Sequence, residues 1–270
     1  MDRPSFFSLT KNYQIMISHF NAIMLSMTIT MLIVLTYTVS ADNSISSINL
    51  EKDDSFSQYA ESKMPELDYY DDYQELQPIT KDVVVYPIFT QSAYQWGAIH
   101  DFYAGYCDIC LNATIQNYYE KTVVSGGNGY RILEFLGYEV INDIDIDKNP
   151  SILEQYDKVI LLHNEFVTKK EFEAIISHPK VIYLYPHALS SEVRADYSSN
   201  KITLVRGPGF PDKNIVNGFD WEFDNSEFFH DWSCLDWNFY EIRNGYMLNC
   251  YPETELPHYG LEILKTIKTL

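Results

Sequence analysis

The sequence predicts an α/β fold: an open, mostly parallel sheet with flanking helices, extended near the C-terminus by an antiparallel hairpin. Three observations carry this. Between residues 83 and 185, short apolar runs alternate with segments of helical spacing in the order strand, helix, strand, strand, helix, strand. That is the rhythm of an open sheet with helices on both faces. The runs are continuous and rich in β-branched residues, as suits strands covered on both sides. Near the C-terminus, Asn244-Gly245 joins two apolar runs and reads as a type I′ hairpin signal.

Taken in order, the first strand is Val83-Val84-Val85-Tyr86, followed by a long, irregular aromatic stretch over residues 90–119. Tyr130-Arg131-Ile132-Leu133-Glu134-Phe135-Leu136 places apolar residues at helical spacing, and Gly137 is positioned to stop that helix. Residues 138–146 return to strand character, and Tyr156-Asp157-Lys158-Val159-Ile160-Leu161-Leu162 is a third strand. Thr168-Lys169-Lys170-Glu171 is a capping box that starts a helix. Phe172, Ile175 and Ile176 are its inward stripe and Pro179 ends it, before a fourth strand at Val181-Ile182-Tyr183-Leu184-Tyr185. Beyond Val193 the rhythm changes: Ile202-Thr203-Leu204-Val205 is a short strand ahead of the turn-rich Gly207-Pro208-Gly209, and a last helix is expected over residues 259–267. No polar linker divides the two halves, so residues 81–270 are expected to form one domain, its second half an antiparallel extension of the same sheet.

The preceding residues do not read as part of that core. Residues 42–80 hold ten acidic residues against Lys52 and Lys63, the composition of a solvated tether, with Tyr59, Tyr69, Tyr70 and Tyr73 interleaved. Residues 1–41 read as a signal peptide or membrane anchor. Arg3 and Lys11 precede an apolar stretch that is densest at Met31-Leu32-Ile33-Val34-Leu35. Val39-Ser40-Ala41 is a small-x-small cleavage pattern that would release a chain beginning at Asp42, yet residues 15–39 are also long enough to span a bilayer. Both readings stand, and both leave the domain extracytoplasmic, secreted or anchored. A net charge of −19 argues against nucleic acid as a partner, because phosphate binding needs clustered cations. It also disfavours an anionic membrane surface, leaving the N-terminal segment, if uncleaved, as the membrane contact.

In an oxidising compartment four cysteines pair, and the local connectivity, Cys107 with Cys110 and Cys234 with Cys250, is the expected one. A redox C-x-x-C would open a helix after a strand, and zinc would want a second C-x-x-C or paired histidines; neither setting surrounds Cys107 and Cys110. Asn112-Ala113-Thr114 is an N-glycosylation acceptor pattern.

Ligands of open α/β sheets bind beyond the carboxyl ends of the strands. That rule selects residues 90–103, the Asp143, Asp145, Asp147 series, His163-Asn164-Glu165 and Pro186-His187, with His163, Asp143, Asp145 and His187 at the pocket edge. The aspartate series also invites a calcium reading, with Glu154 at the twelfth position, but Lys148 stands where an EF-hand needs Gly. Alternation of Ile144 and Ile146 instead suggests solvent-facing acids at a strand end. Ser125-Gly126-Gly127-Asn128-Gly129 precedes a helix and has a phosphate-cradling composition, but it lacks the P-loop lysine and reads better as a flexible loop. No nucleophile elbow of the G-x-S-x-G kind is present.

The order Asp143-x-Asp145-x-x-x-x-Pro150, Leu153-x-x-Tyr156-Asp157 and His163-Asn164-Glu165-Phe166-Val167-Thr168 resembles the stretch T-D-x-D-L…P…L…Y-D…H-x-E-Y-W-(S/T) of the N,N-dimethylformamidase large subunit family, in its C-terminal domain. Ala93-Tyr94-Gln95-Trp96-Gly97 and Tyr103 are similar to that family's A-Y-N-x-W/Y-G-G-x-S-L-Y. The likeness covers residues 90–189. Phe166 and Ala98 depart from it, and the upstream spacing is one residue short. The resemblance implies a class I glutamine amidotransferase-like fold and a mononuclear iron that activates water for amide hydrolysis. By position it makes Glu165, Tyr103 and Tyr94 the candidate metal ligands. Each has a plainer alternative, Glu165 as a helix-cap carboxylate and Tyr103 as a half-buried packing phenol. Two functions follow as expectations: a metal-dependent hydrolase of small amide or C–N bonds, or a non-catalytic domain of the same fold that binds a small molecule or a surface protein.

Overall fold

The computed structural model describes residues 73–270. The expected signal or anchor segment and the tether up to residue 72 lie outside the described residues. The chain runs α1 (Tyr73–Leu76), β1 (Asp82–Tyr86), α2 (Ile88–Ala93), α3 (Ile99–Tyr103), β2 (Asn112–Thr114), α4 (Gly127–Phe135), β3 (Glu139–Asn142) and α5 (Asp143–Lys148). It continues through β4 (Lys158–Leu161), β5 (Phe166–Val167), α6 (Lys169–Ser177), β6 (Val181–Tyr183), β7 (Ser191–Asp196), β8 (Lys201–Arg206), β9 (Phe239–Ile242), β10 (Gly245–Leu248) and α7 (Leu261–Thr269). Among the described residues no helix is long and apolar enough to cross a membrane.

The β-branched runs form the central strands of a six-stranded sheet ordered β3-β1-β4-β6-β10-β9. Every pairing in it is parallel except the β9–β10 hairpin. Side chains alternate across a strand, so each run feeds two cores. Val84, Tyr86, Ile160 and Ile182 face one side, where they meet Leu133 of α4 and Ile263 and Ile267 of α7. Val83, Val85, Val159 and Val181 face the other, against Ile146 of α5 and Phe172 and Ile175 of α6. Complete burial of such side chains contributes roughly 1.5–3 kcal/mol apiece, which is why continuous rather than alternating hydrophobicity marks these strands.

The α6 capping box forms as expected: the Thr168 hydroxyl accepts from the Glu171 N–H, and the Glu171 carboxylate accepts from the Thr168 N–H. In contrast, residues 138–146 are not one strand. β3 stops at Asn142, whose side-chain oxygen accepts the N–H groups of Ile144 and Asp145, while Asp145 accepts the Asn142 N–H. This second capping box turns the chain into α5, so Ile144 and Ile146 are helical and buried.

Two further expectations change in the second half. The 202–205 strand lies in β8, which belongs to a separate four-stranded sheet ordered β2-β8-β7-β5 and not to the first sheet. The hairpin does extend the first sheet, but Gly245 pairs with Ile242, so the two turn residues are Arg243 and Asn244. Gly245 instead permits close approach to β6, since a Cβ there would lie 1.8 Å from the Val181 carbonyl oxygen. At the start of the described chain, α1 packs its buried Leu76 into the core beside α7, so the folded part takes in the end of the acidic tract.

Candidate functional site

β4 ends at Leu161, and the chain then crosses the carboxyl edge of the sheet as His163, Asn164 and Glu165 before entering β5. Backbone contacts fix this crossing. The Thr90 hydroxyl of α2 accepts the N–H groups of Glu165 and Phe166 at 3.0 and 3.1 Å. The Leu189 N–H donates to the Asn164 carbonyl at 2.8 Å and the Ser191 N–H to that of Glu165 at 3.0 Å, tying in the segment that carries His187. His187 and Leu189 both adopt left-handed φ values, 62° and 55°. Such conformations cost on the order of 1–3 kcal/mol each and persist only where the surroundings enforce them.

These constraints bring His163, Glu165 and His187 together, with their ligating atoms within 4.8 Å of one another. Glu165 Oε2 accepts a 2.8 Å hydrogen bond from the Tyr94 hydroxyl, at the C-cap of α2, and lies 3.7 Å from His163 Nε2; Glu165 Oε1 lies 3.6 Å from His187 Nδ1. Both nitrogen contacts are too long for hydrogen bonds. His163 Nδ1 sits 2.8 Å from the Val124 carbonyl, an acceptor only, which assigns the proton to Nδ1 and leaves a lone pair on Nε2. That Nε2 and His187 Nδ1 are both buried without a partner. Phe229 stacks on the His187 ring at 4.3 Å and His100 on the Tyr94 ring at 4.2 Å, forming the aromatic rim.

Electrostatics set the protonation states. Burial pushes the His163 imidazole down to about 4, so it is neutral. Burial works to raise the Glu165 carboxyl, but His187, His163 and the Tyr94 hydrogen bond outweigh it and hold Glu165 below the usual carboxylate range, ionised. Burial would lower His187, yet Glu165 raises it above the ordinary imidazole value. Tyr94 is driven well above its usual range by burial and by the Glu165 charge, so its phenol keeps its proton.

No protein-family model matches this chain, and no curated protein does. The site therefore stands on its own geometry.

Of the residues singled out from sequence, Glu165, Tyr94, His163 and His187 meet at one point. No hydrogen bond joins Tyr103 to Glu165: the ring packs on Phe102 and Phe166, and burial raises its phenol to about 12, with the Ser191 hydroxyl opposing and the Glu165 charge adding to the rise. The aspartates are not solvent-facing acids at a strand end. Asp143 is fully buried beneath the site, Asp145 serves the α5 cap, and Asp147 accepts from the Tyr197 hydroxyl at 2.7 Å. The glycine-rich segment is no loose loop either. Gly127 begins α4, and that helix N-terminus is already occupied by a side chain of this protein, the Glu253 carboxyl group, which accepts from the Asn128 N–H at 2.7 Å and the Tyr185 hydroxyl at 2.6 Å.

The cysteines form the disulfides Cys107–Cys110 and Cys234–Cys250, which fit an oxidising, extracytoplasmic compartment. Asn112 is exposed on the edge strand β2, its side-chain oxygen accepting from Thr203. Sequence reasoning missed Phe229 and Glu253, and gave Thr90 no role of its own within the selected stretch 90–103. Only the register of distant strands and loops brings them in, and no local spacing signals it.

Proposed function

We propose that this chain is an exported or membrane-anchored hydrolase of small amide or related C–N bonds, dependent on a metal ion at the Glu165 cluster. The observation that carries this reading is the pair of buried imidazole nitrogens without a hydrogen-bond partner, His163 Nε2 and His187 Nδ1, on either side of an ionised carboxylate that faces both from 3.6–3.7 Å. A neutral imidazole, a second imidazole and a carboxylate are a donor set suited to zinc or to non-haem iron; iron in particular rests on the dimethylformamidase resemblance. His163, Glu165 and His187 are the residues that would hold the ion, and when bound it supplies Lewis acidity for activating water and polarising a carbonyl. The residues around it have separate tasks. Tyr94, kept protonated, orients Glu165 and has a phenolic proton to offer an oxygen that gains charge. Phe229 and His100 limit the access of bulk water at the rim. All four cysteines are in disulfides, which leaves no thiol nucleophile and favours water as the attacking group.

A binding domain of the same fold is the second reading, favoured by Trp96, which is 91% exposed two residues beyond Tyr94. Amine or ammonia release from a panel of small amides, measured for the wild type and Glu165→Gln, separates the two. Turnover by the wild type that is lost in the variant supports the hydrolase. No turnover by metal-loaded wild type, together with saturable binding of an amide, supports the binding domain.

A further inference from the structure

A buried carboxyl pair lies behind the site and takes no part in the chemistry above. Asp143 and Glu171 have no exposed surface, and the charges acting on them are themselves acidic: Asp145 on Asp143, and Asp143 and Asp147 on Glu171. Asp143 has a donor on each oxygen, the Phe89 N–H at 2.6 Å and the Asn164 amide at 2.7 Å. Glu171 accepts from the Thr168 N–H through Oε2, whereas its Oε1 has no donor and the neighbouring group is Asp143. Two adjacent carboxylates cannot both stay ionised without water or cations, so one proton belongs between them. Since Asp143 is already served by two donors, the proton sits on Glu171 and is donated to Asp143.

Asp143 reaches every element of the site. Through Phe89 it holds the start of α2, the helix whose Thr90 anchors Glu165 and whose C-cap is Tyr94. Through Asn164 it holds the residue between His163 and Glu165, and the Asn164 carbonyl in turn holds Leu189, two residues beyond His187. We propose that Asp143, with Glu171 as its hydrogen-bond donor, is the positioning residue of the site, fixing His163, Glu165, His187 and Tyr94 in place through Phe89 and Asn164. The consequence for cation affinity rests on the metal reading above.

The test is Co²⁺ and Zn²⁺ binding to the purified full chain by calorimetry, with the Co²⁺ visible spectrum as a report on ligand geometry and circular dichroism as a check on folding. Glu171→Gln keeps a donor facing Asp143 and should bind within about threefold of wild type. Asp143→Ala should weaken binding by roughly 10–100-fold, the usual effect of removing a group that orients a ligand, and should alter the Co²⁺ spectrum. Asn164→Ala leaves the pair intact and cuts only the link, so it should fold and show the same loss even if Asp143→Ala does not fold. Wild-type affinity and spectrum in Asn164→Ala, or equal losses in Glu171→Gln and Asp143→Ala, would overturn the proposal. If the wild type binds neither ion, the metal reading fails and the positioning role is read from crystal structures instead. The 2.8 Å Tyr94–Glu165 hydrogen bond should then be lost in Asn164→Ala, and its survival would count against the role.

Discussion

The two ends of the six-stranded sheet bury charge in opposite ways. At the amino end, Lys158 and Asp82 open β4 and β1 side by side, 3.3 Å apart and almost fully buried. The ammonium group also donates to the carbonyls of Ile267 and Lys268, and Asp82 accepts from the Thr80 hydroxyl. Opposite charges are paired directly here: Asp82 Oδ2, which has no hydrogen bond, faces the ammonium at 3.3 Å, and the result is a clamp on the end of α7. At the carboxyl end, Glu165 is held ionised between two imidazole nitrogens that face it at 3.6 and 3.7 Å, too far for hydrogen bonds, and that have no other hydrogen-bond partner. Unsatisfied buried polar atoms cost about 1–3 kcal/mol each, and the fold tolerates two of them within one cluster. Directly paired buried charge holds a structure together, whereas the looser cluster at the carboxyl end is the place where the proposed function puts a bound ion.

The comparison can be broken by mutation. Lys158→Met strands the Asp82 carboxylate and removes the α7 anchor, and should cost about 3–5 kcal/mol in chemical denaturation, whereas Glu165→Gln should change stability by no more than ~1 kcal/mol, the scale of one ordinary hydrogen bond. Similar losses in both would erase the distinction between the two ends. A smaller contrast is expected between the disulfides. Cys234–Cys250 closes a span of 16 residues and lies near the aromatic rim, whereas Cys107–Cys110 spans only 3. Replacing the first pair with serine should cost ~3 kcal/mol and the second ~2 kcal/mol or less, read as a larger fall in thermal midpoint for the first.

The contrast also explains how far the sequence could be read. Continuous β-branched runs announced the central strands because burial on both faces leaves no polar alternation, and the Thr168 capping box announced α6 because its partners lie three residues apart. Placement of Glu165, His163 and His187 near one another followed from the rule that ligand sites form where strands end. The Asp143 series was misjudged because alternating isoleucine and aspartate fits a strand as well as one short helix, and the cap at Asn142 decides between them. The second sheet escaped notice because β2 and β8 are some ninety residues apart and meet only through tertiary structure. The same is true of the link from Glu171 through Asp143 to Asn164.

A third effect concerns Glu253 on the N-terminus of α4. Burial raises its carboxyl to about 7, with the Tyr185 hydroxyl and backbone N–H groups opposing. The unfolded chain releases this proton near the ordinary glutamate value, about 4.3, and the folded chain keeps it until about 7. The folded state therefore binds more protons in that window, and this group's contribution to stability falls as pH rises from about 4.3 to 7, by ~3 kcal/mol. Glu253→Gln should be more stable than wild type at pH 8, with the difference vanishing near pH 4 in denaturation curves. A constant offset across pH would contradict the assignment.

The central claim is that the carboxyl end of the sheet is built to hold a metal ion between His163, Glu165 and His187. Its most direct test is the metal content of the chain purified without chelators, by plasma mass spectrometry, for wild type, His163→Ala and Glu165→Gln. The account predicts about one ion per wild-type chain and almost none in either variant, all three having the same circular dichroism. A wild type that holds no metal even after incubation with Zn²⁺, Fe²⁺ and Mn²⁺, or variants that keep a full complement, would contradict it.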